Sequence, residues 1–320
     1  MNILIAGGAG YIGSSLVPVL LERGYSVTVV DLLWFGNHLP DSVPVLRKDI
    51  FELHENDLKA FDQVVFLAGL SNDPMAEFSP AKNFISNAAA PAYLAYTAKR
   101  AGVKRFIYAG SCSVYGYTVN ELYNESSPAV SQYPYGISKL QGEQSALQLH
   151  DKEFSVLCFR QGTVSGYSPR MRLDLIVNTM FKTAMQKGEI IVNNPSIWRP
   201  ILSIEDAVSA YVRAIEASDD ISGVFNVASG NYTVGETADV VKDAIERQLG
   251  KKIKLVIKHL QDYRNYKVST EKAINVLSFK PRHTLSSIMD NLIRNAEKFK
   301  DFDNPAYYNI RVFESLESAG

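Results

Sequence analysis

Tyr135 and Lys139 stand four positions apart in the run YGISK, which places them on one face of a helix, one turn apart. A free phenol has a pKa of about 10 and is a poor base at neutral pH. A neighbouring ammonium group stabilises the phenolate and turns it into a general base able to take a proton from an alcohol. Upstream, the apolar run RFIYA at 105–109 leads into Gly110-Ser111-Cys112-Ser113-Val114-Tyr115-Gly116. A hydroxyl at the C-terminal end of a sheet strand, here that of Ser111, can donate to a substrate oxygen and to Tyr135. The same spacing recurs at Tyr263 and Lys267. No comparable hydroxyl-bearing strand end precedes that copy, and it is set aside.

An alcohol that loses its proton to Tyr135 can pass a hydride to an acceptor, and the first thirty-one residues outline a place for one. Residues 2–6 (NILIA) are apolar, and Gly7, Gly10 and Gly13 follow in GGAGYIG. Residues 11–23 have helical periodicity, with Ile12, Leu16, Val19 and Leu20 on one side. A second apolar run at 27–30 ends in Asp31. Strand, glycine turn, helix, strand and acid in this register form a dinucleotide pocket in outline. The glycines let the backbone approach a pyrophosphate, whose charge rests on the helix N-terminus. The Asp31 carboxylate sits where it accepts hydrogen bonds from both adenosine ribose hydroxyls. It would repel a 2′-phosphate, and Leu32 and Leu33 supply no cation to hold one, so NAD is expected rather than NADP. The positive nicotinamide ring would add to Lys139 in lowering the pKa of Tyr135, and Lys139 would also hold the nicotinamide ribose.

These residues need a scaffold. After Asp31 a loop leads to an expected strand at 43–48, and 61–68 (FDQVVFLA) reads as another. Residues 80–101 read as a long helix that Pro91 bends or restarts. The strand at 105–109, a helix at 135–150 and a strand at 156–160 continue the alternation. Alternating strands and helices predict an α/β fold, a parallel sheet covered on both faces. Beyond Arg160 the rhythm changes. Helices are expected at 170–187, 204–217 (opened by Ser203 as N-cap), 233–249 and 285–299, with strands at 189–192 and 224–228. The later segments read as a smaller, discontinuous unit capping the C-terminal edge of the sheet, where ligands of such sheets bind. The tail after Lys300 is unassigned.

Bulk properties fit this reading. The 320 residues, 46% hydrophobic, suffice for one large α/β domain or two unequal ones. A net charge of −1 gives no basic field for nucleic acid or anionic membrane. No apolar run is long enough to span a bilayer, and the N-terminal run turns into the glycine loop without a basic leader. Two cysteines argue for a reducing compartment, taken as cytoplasmic. Five scattered histidines and two cysteines offer no metal-ligand spacing.

GGAGYIG, Asp31, Asp49-Ile50, LAGLS, GSCSVYG and YGISK follow the order seen in extended short-chain dehydrogenases/reductases. More narrowly, the chain resembles the NAD-dependent nucleotide-sugar epimerase/dehydratase family, to about Ile293. The resemblance implies a doubly wound Rossmann domain over 1–164, to which 203–228 returns. It implies a nucleotide-sugar-binding domain from 165–202 and 229–320, tightly held NAD, and a homodimer. By motif position it implies NAD contacts from Tyr11, Ile12, Asp31, Asp49, Ile50, Leu67, Ala68, Gly69 and Asn87, beside Gly7, Gly10, Gly13, Tyr135 and Lys139. It assigns Ser111, Tyr135 and Lys139 as the catalytic trio.

Two departures narrow the chemistry. The family's dehydratases carry Asp-Glu after the catalytic hydroxyl residue, where this chain has Cys112 and Ser113, so a 4,6-dehydratase is disfavoured. The family's Arg-x-x-Asn is Arg160-Gln161-Gly162-Thr163 here, with Thr163 in place of the sugar-phosphate amide. A substrate diphosphate needs cations and donors. Arg170, Arg172, Asn178, Arg199 and Arg264 are the candidates, the last two at positions that grip the diphosphate in relatives. Ser71, Asn72 and Asp73 are placed to face the sugar. SPRMRLDLIVN is similar to a stretch in sugar-nucleotide enzymes of bacterial surface-glycan pathways. The expected activity is C4 epimerisation of a nucleotide sugar through a transient 4-keto intermediate. A net 4-dehydrogenase or 4-ketosugar reductase uses the same trio, and a non-catalytic NAD-binding sensor would not need it intact.

Overall fold

The computed structural model describes residues 1–259 and 265–319. In chain order the strands are β1 (Asn2–Ala6), β2 (Ser26–Val30), β3 (Val45–Leu46), β4 (Gln63–Phe66), β5 (Arg105–Ser111), β6 (Tyr117–Tyr123) and β7 (Ser155–Gln161). They continue as β8 (Thr163–Ser165), β9 (Glu189–Asn193), β10 (Trp198–Ser203), β11 (Gly223–Val227), β12 (Gly230–Thr233), β13 (Lys254–Lys258) and β14 (Asn265–Val268). The helices are α1 (Gly13–Glu22), α2 (Glu55–Leu58), α3 (Asp73–Phe78), α4 (Pro80–Phe84), α5 (Ala90–Ala101) and α6 (Pro134–Leu147). After them come α7 (Ile176–Lys187), α8 (Ile204–Glu216), α9 (Val234–Leu249), α10 (Glu271–Leu277), α11 (Leu285–Asn295) and α12 (Asn309–Ala319).

Seven strands pair in parallel in the order β11-β7-β5-β4-β1-β2-β3. The alternation of side chains along each strand divides the core in two. Ile3, Ile5, Val65 and Ile107 join one apolar cluster, while Leu4, Ala6, Val64, Phe66 and Phe106 join the other. Both faces are therefore covered, the Rossmann-type arrangement expected of a parallel sheet. The strand order reverses between β1 and β4, which opens a crevice beyond their carboxyl ends. The glycine turn leaves β1 there, LAGLS leaves β4, and Ser111 ends β5. Outside the main sheet, β12-β10-β8, β13-β9 and β14-β6 form three small sheets.

Several expected elements shift. Residues 80–101 form one helical course, but 85–89 wind as a π turn before α5 begins. Pro91 cannot donate to the carbonyl four residues back. The hydroxyl of Tyr108 donates to that carbonyl of Asn87 instead, at 2.9 Å. The helix expected at 170–187 starts only at Ile176. The Asn178 amide accepts from Gly166 N at 3.0 Å and donates to Arg172 O at 2.8 Å, so a side chain satisfies backbone groups that a helix would have paired. The strand at 43–48 shortens to Val45–Leu46. Ser203 does cap α8, accepting from Asp206 N at 2.9 Å. β6 and β14, far apart in sequence, and α12 in the unassigned tail were not expected. Among the described residues no helix is long and apolar enough to cross a membrane, and no His/Cys/Asp/Glu cluster could hold a metal ion. Cys112 and Cys158 are free and buried.

Candidate active site

A cavity of about 760 Å³ follows the carboxyl ends of β1, β4 and β5, from Asp31 and Asp49 at one end to Arg199 and Tyr266 at the other. Its first half is built by the glycine turn. Gly7 has φ +77°, and a Cβ there would lie 2.5 Å from Ala68 N, so the turn packs directly on the LAGLS backbone. A Cβ on Gly13 would lie 2.3 Å from Gly8 O, so Gly13 seats α1 against the turn. Helix α1 opens without a side-chain cap and with no acid in its first turn, which leaves the positive end of its dipole for an anion.

Asp31 lines the same space. Its Oδ2 accepts from Ala9 N at 3.0 Å and its Oδ1 from Leu33 N at 2.8 Å. Burial pushes the carboxyl up, against those two hydrogen bonds and the charge of Arg170, which pull it down. Gly10, Tyr11, Ile12, Asp49, Ile50, Leu67, Ala68 and Gly69 line the cavity too. An uncapped helix start over a glycine cradle, an acid at the next strand end and a long crevice between them suit a dinucleotide. Asn87 differs from the expectation. It lies behind the cavity wall, and its amide donates to Leu70 O at 2.8 Å and to Asn83 Oδ1 at 2.8 Å. It supports the Gly69 bend from beneath.

In the middle of the cavity Ser111, Tyr135 and Lys139 come together. Ser111 Oγ accepts from Ser113 Oγ at 2.8 Å and from Ser113 N at 3.2 Å, which leaves its own proton free to donate. It lines the cavity beside Tyr135 and favours the phenolate there. Lys139 Nζ donates to Ala109 O at 3.0 Å and lies 5.9 Å from the Tyr135 ring centre. The expectation paired Lys139 with a bound nicotinamide ring; in the protein alone burial dominates both groups. Burial pushes Tyr135 up to about 12, and Asp73 adds to the rise, while Ser111 and Arg172 oppose it. Burial brings Lys139 down to about 7, so the lysine is a weak cation in the protein alone. Cys112 faces away: its thiol donates to Arg160 O at 3.1 Å, and burial pushes its pKa up.

The expected substrate residues are dispersed. Thr163 and Arg199 line the far half of the cavity, with Arg199 5.8 Å from the Tyr266 ring centre. Arg172 also lines it but is spent on Asp174, at 2.9 and 3.1 Å. Asn178 does not reach the cavity; it is fully buried and donates to the Tyr11 hydroxyl at 3.1 Å. Arg170 lies beside Asp31 and Phe35 at the first half, away from Arg199. Ser71, Asn72 and Asp73 line the wall, and Asn72 donates to Asp174 Oδ2 at 3.0 Å. Arg264 lies outside the described residues, as does Tyr263; Lys267 sits 4.9 Å from the Trp198 ring centre.

Two contributors had no signal in the sequence. Asn309 and Ile310, at the start of α12, close the cavity wall. Asn309 Nδ2 donates to Ser71 Oγ at 2.6 Å and its N donates to Asp174 Oδ2 at 3.2 Å. Phe313 anchors the same helix between Trp34 and Phe78, each 5.8 Å from it centre to centre.

Residues 3–228 match the model of the NAD dependent epimerase/dehydratase family. The chain is 26% identical to UDP-glucose 4-epimerase 2 of Arabidopsis thaliana, covering 96% of this chain and 97% of that protein. It is 28% identical to UDP-glucuronic acid decarboxylase 3 of the same plant, covering 88% and 85%. The solved structure of MoeE5 in complex with UDP-glucose and NAD superposes with a TM-score of 0.82 at 26% identity, covering 93% of this chain and 99% of that one.

Proposed function

We propose that this chain, which belongs to the NAD dependent epimerase/dehydratase family, epimerises C4 of a UDP-sugar through a transient 4-keto intermediate. The observation that carries the reading is the gathering of Ser111, Tyr135 and Lys139 at the end of β5, inside a cavity continuous with the glycine turn. The family is NAD-dependent. Gly7, Gly10, Tyr11, Ile12 and Asp31 would hold NAD, which supplies the hydride acceptor at the sugar carbon when bound.

The chain's own groups handle the proton. Tyr135 takes it from the C4 hydroxyl as the C4–H bond breaks, and Ser111 orients that hydroxyl by donating to its oxygen. Rotation of the keto sugar presents its other face, and Tyr135 returns the proton to the oxygen. A phenol raised to about 12 stays protonated at neutral pH and is a weak acid, so it holds the proton that the return step delivers. The forward step needs added positive charge beside it, which Arg172 begins to supply and a bound nicotinamide ring would increase. Thr163 and Arg199 are assigned to the substrate half, and Arg199 to its diphosphate.

The domain division at 164/165, with 203–228 returning, belongs to the same proposal. It is supported by β11 joining the main sheet while β9 and β10 lie outside it. A homodimer is supported by Phe84, Tyr96 and Ile137, which are 49%, 55% and 40% exposed on α4, α5 and α6. Two buried free thiols suit a reducing cytoplasm.

Purified protein is incubated with a panel of UDP-hexoses and UDP-uronic acids. Product NMR, with absorbance of reduced nicotinamide, separates the outcomes. An epimer at C4 without net cofactor reduction supports the proposal. Stoichiometric reduction identifies a net 4-dehydrogenase, a UDP-pentose with carbon dioxide identifies a decarboxylase, and NAD bound with no sugar turned over identifies a sensor.

A further inference from the structure

The loop between β8 and α7 comes from the substrate side of the fold, yet it is pinned to the start of α1. Ser168 Oγ donates to Tyr11 O at 2.7 Å and shares a 2.8 Å hydrogen bond with Ser14 Oγ. Ser15 Oγ donates to Ser168 Oγ at 2.9 Å, and Arg170 N donates to Ser14 Oγ at 3.3 Å. This brings the side chain of Arg170 to the glycine-turn half of the cavity. Its guanidinium carbon lies 3.7 Å from the ring centre of Phe35, four residues beyond Asp31. Its Nη2 donates to Asn309 Oδ1.

The charge there is unbalanced. Arg170 is 2% exposed, its Nε has no hydrogen-bond partner, and it forms no ion pair among the described residues. The neighbouring Asp174 is already gripped by both Arg172 and Asn72. Asp31 also lies near, but its two oxygens already accept from Ala9 N and Leu33 N, and burial with the like charge of Arg172 outweighs both carboxylates in bringing Arg170 down to about 9. Two ligand diphosphates share the chemistry to fill that role, one in NAD and one in a sugar nucleotide. The surroundings separate them. Ser14, Phe35, Asp31 and the uncapped start of α1 all belong to the cofactor half, whereas Arg199 stands in the other half.

We infer that Arg170 clamps the cofactor diphosphate: a buried guanidinium carried over from the substrate side, seated on Phe35 and held from behind by Asn309 of the C-terminal segment, closes on the anion bound at the start of α1. The inference rests on the reading that the glycine turn binds NAD. It makes cofactor retention a property shared between distant parts of the chain, because the cation and its support come from residues 170 and 309. Arg170 is a binding residue, and Asn309 is a positioning residue that acts through it.

Wild type, Arg170→Gln, Arg170→Lys and Asn309→Ala are purified. NAD content is measured on the denatured extract, and NAD release by chasing labelled cofactor with excess unlabelled NAD. Affinity for UDP is measured separately by calorimetry. Expected is at least a tenfold faster NAD release for Arg170→Gln, a smaller increase for Arg170→Lys and for Asn309→Ala, and UDP affinity within twofold of wild type. The thermal midpoint of the NAD-free Arg170→Gln protein should equal or exceed that of NAD-free wild type, since the unpaired charge is gone. Unchanged NAD release in the glutamine variant overturns the inference, as does weakened UDP binding with NAD release intact. If the glutamine variant does not fold, NAD release from the lysine variant decides on the same terms. A wild-type protein that takes up no NAD overturns the underlying reading of the glycine turn as well, an outcome distinct from the others.

Discussion

Arg160 grips Glu143 with two parallel hydrogen bonds, Nε to Oε2 at 2.9 Å and Nη2 to Oε1 at 2.7 Å. Both residues are almost wholly buried, and the pair ties α6, which carries Tyr135 and Lys139, to β7 in the main sheet. The Tyr115 hydroxyl completes the group by accepting from Arg160 Nη1 at 2.9 Å. Removing one partner strands a buried charge, which costs about 3–5 kcal/mol. Glu143→Ala should lower the unfolding free energy by that amount in urea melts. A loss below about 1 kcal/mol would show the pair to be solvated.

Tyr135→Phe removes the proton carrier and leaves the ring in place. General acid–base catalysis contributes roughly 10²–10⁴-fold, so kcat should fall by that factor, while NAD content of the purified protein matches wild type. Turnover within threefold of wild type would remove Tyr135 from the chemistry.

Lys139 links stability to pH in the cofactor-free protein. Its folded pKa of about 7 lies below the ordinary 10.5 because burial penalises the ammonium form. Below pH 7 the lysine is protonated in both states and the penalty is at its fullest. Above pH 7 the folded protein releases the proton while the unfolded chain keeps it, so stability rises with pH. The rise should appear between pH 7 and 8, before Arg170, lowered to about 9, begins to titrate, with a slope of at most about 1.4 kcal/mol per pH unit. Urea melts across that window should show a steeper rise for wild type than for Lys139→Met. Parallel curves would contradict the assignment.

Gly69 has φ +123°, and a Cβ there would lie 2.3 Å from Asn87 Oδ1. Gly69→Ala should therefore cost about 1–3 kcal/mol in backbone strain alone and weaken NAD binding by displacing the cavity wall. Calorimetric titration with NAD and thermal melts give the two readouts. An alanine variant with wild-type values in both would mean that the bend relaxes freely.

The local code was legible wherever neighbouring residues decide the outcome. GGAGYIG with Asp31 specifies a turn because glycine alone tolerates the approach of Ala68 to Gly7, and the four-residue spacing of Tyr135 and Lys139 puts them on one helix face whatever packs above. The seven-stranded parallel sheet followed from alternating apolar runs and helices. The sequence determined those elements and the types of group at their ends.

Tertiary packing decided the rest. Arg170, Arg172 and Asn178 lie within nine positions of one another and looked alike as polar ligands. Folding leaves the first beside Asp31, pairs the second with Asp174 and uses the third to hold Tyr11 and a loop backbone. The pKa values of Tyr135 and Lys139 moved apart because burial penalises the charged forms of both, a quantity set by the whole surrounding core. Asn309 reaches Ser71 across 238 positions, a contact that no periodicity or local spacing encodes, because it exists only once the chain has closed on itself.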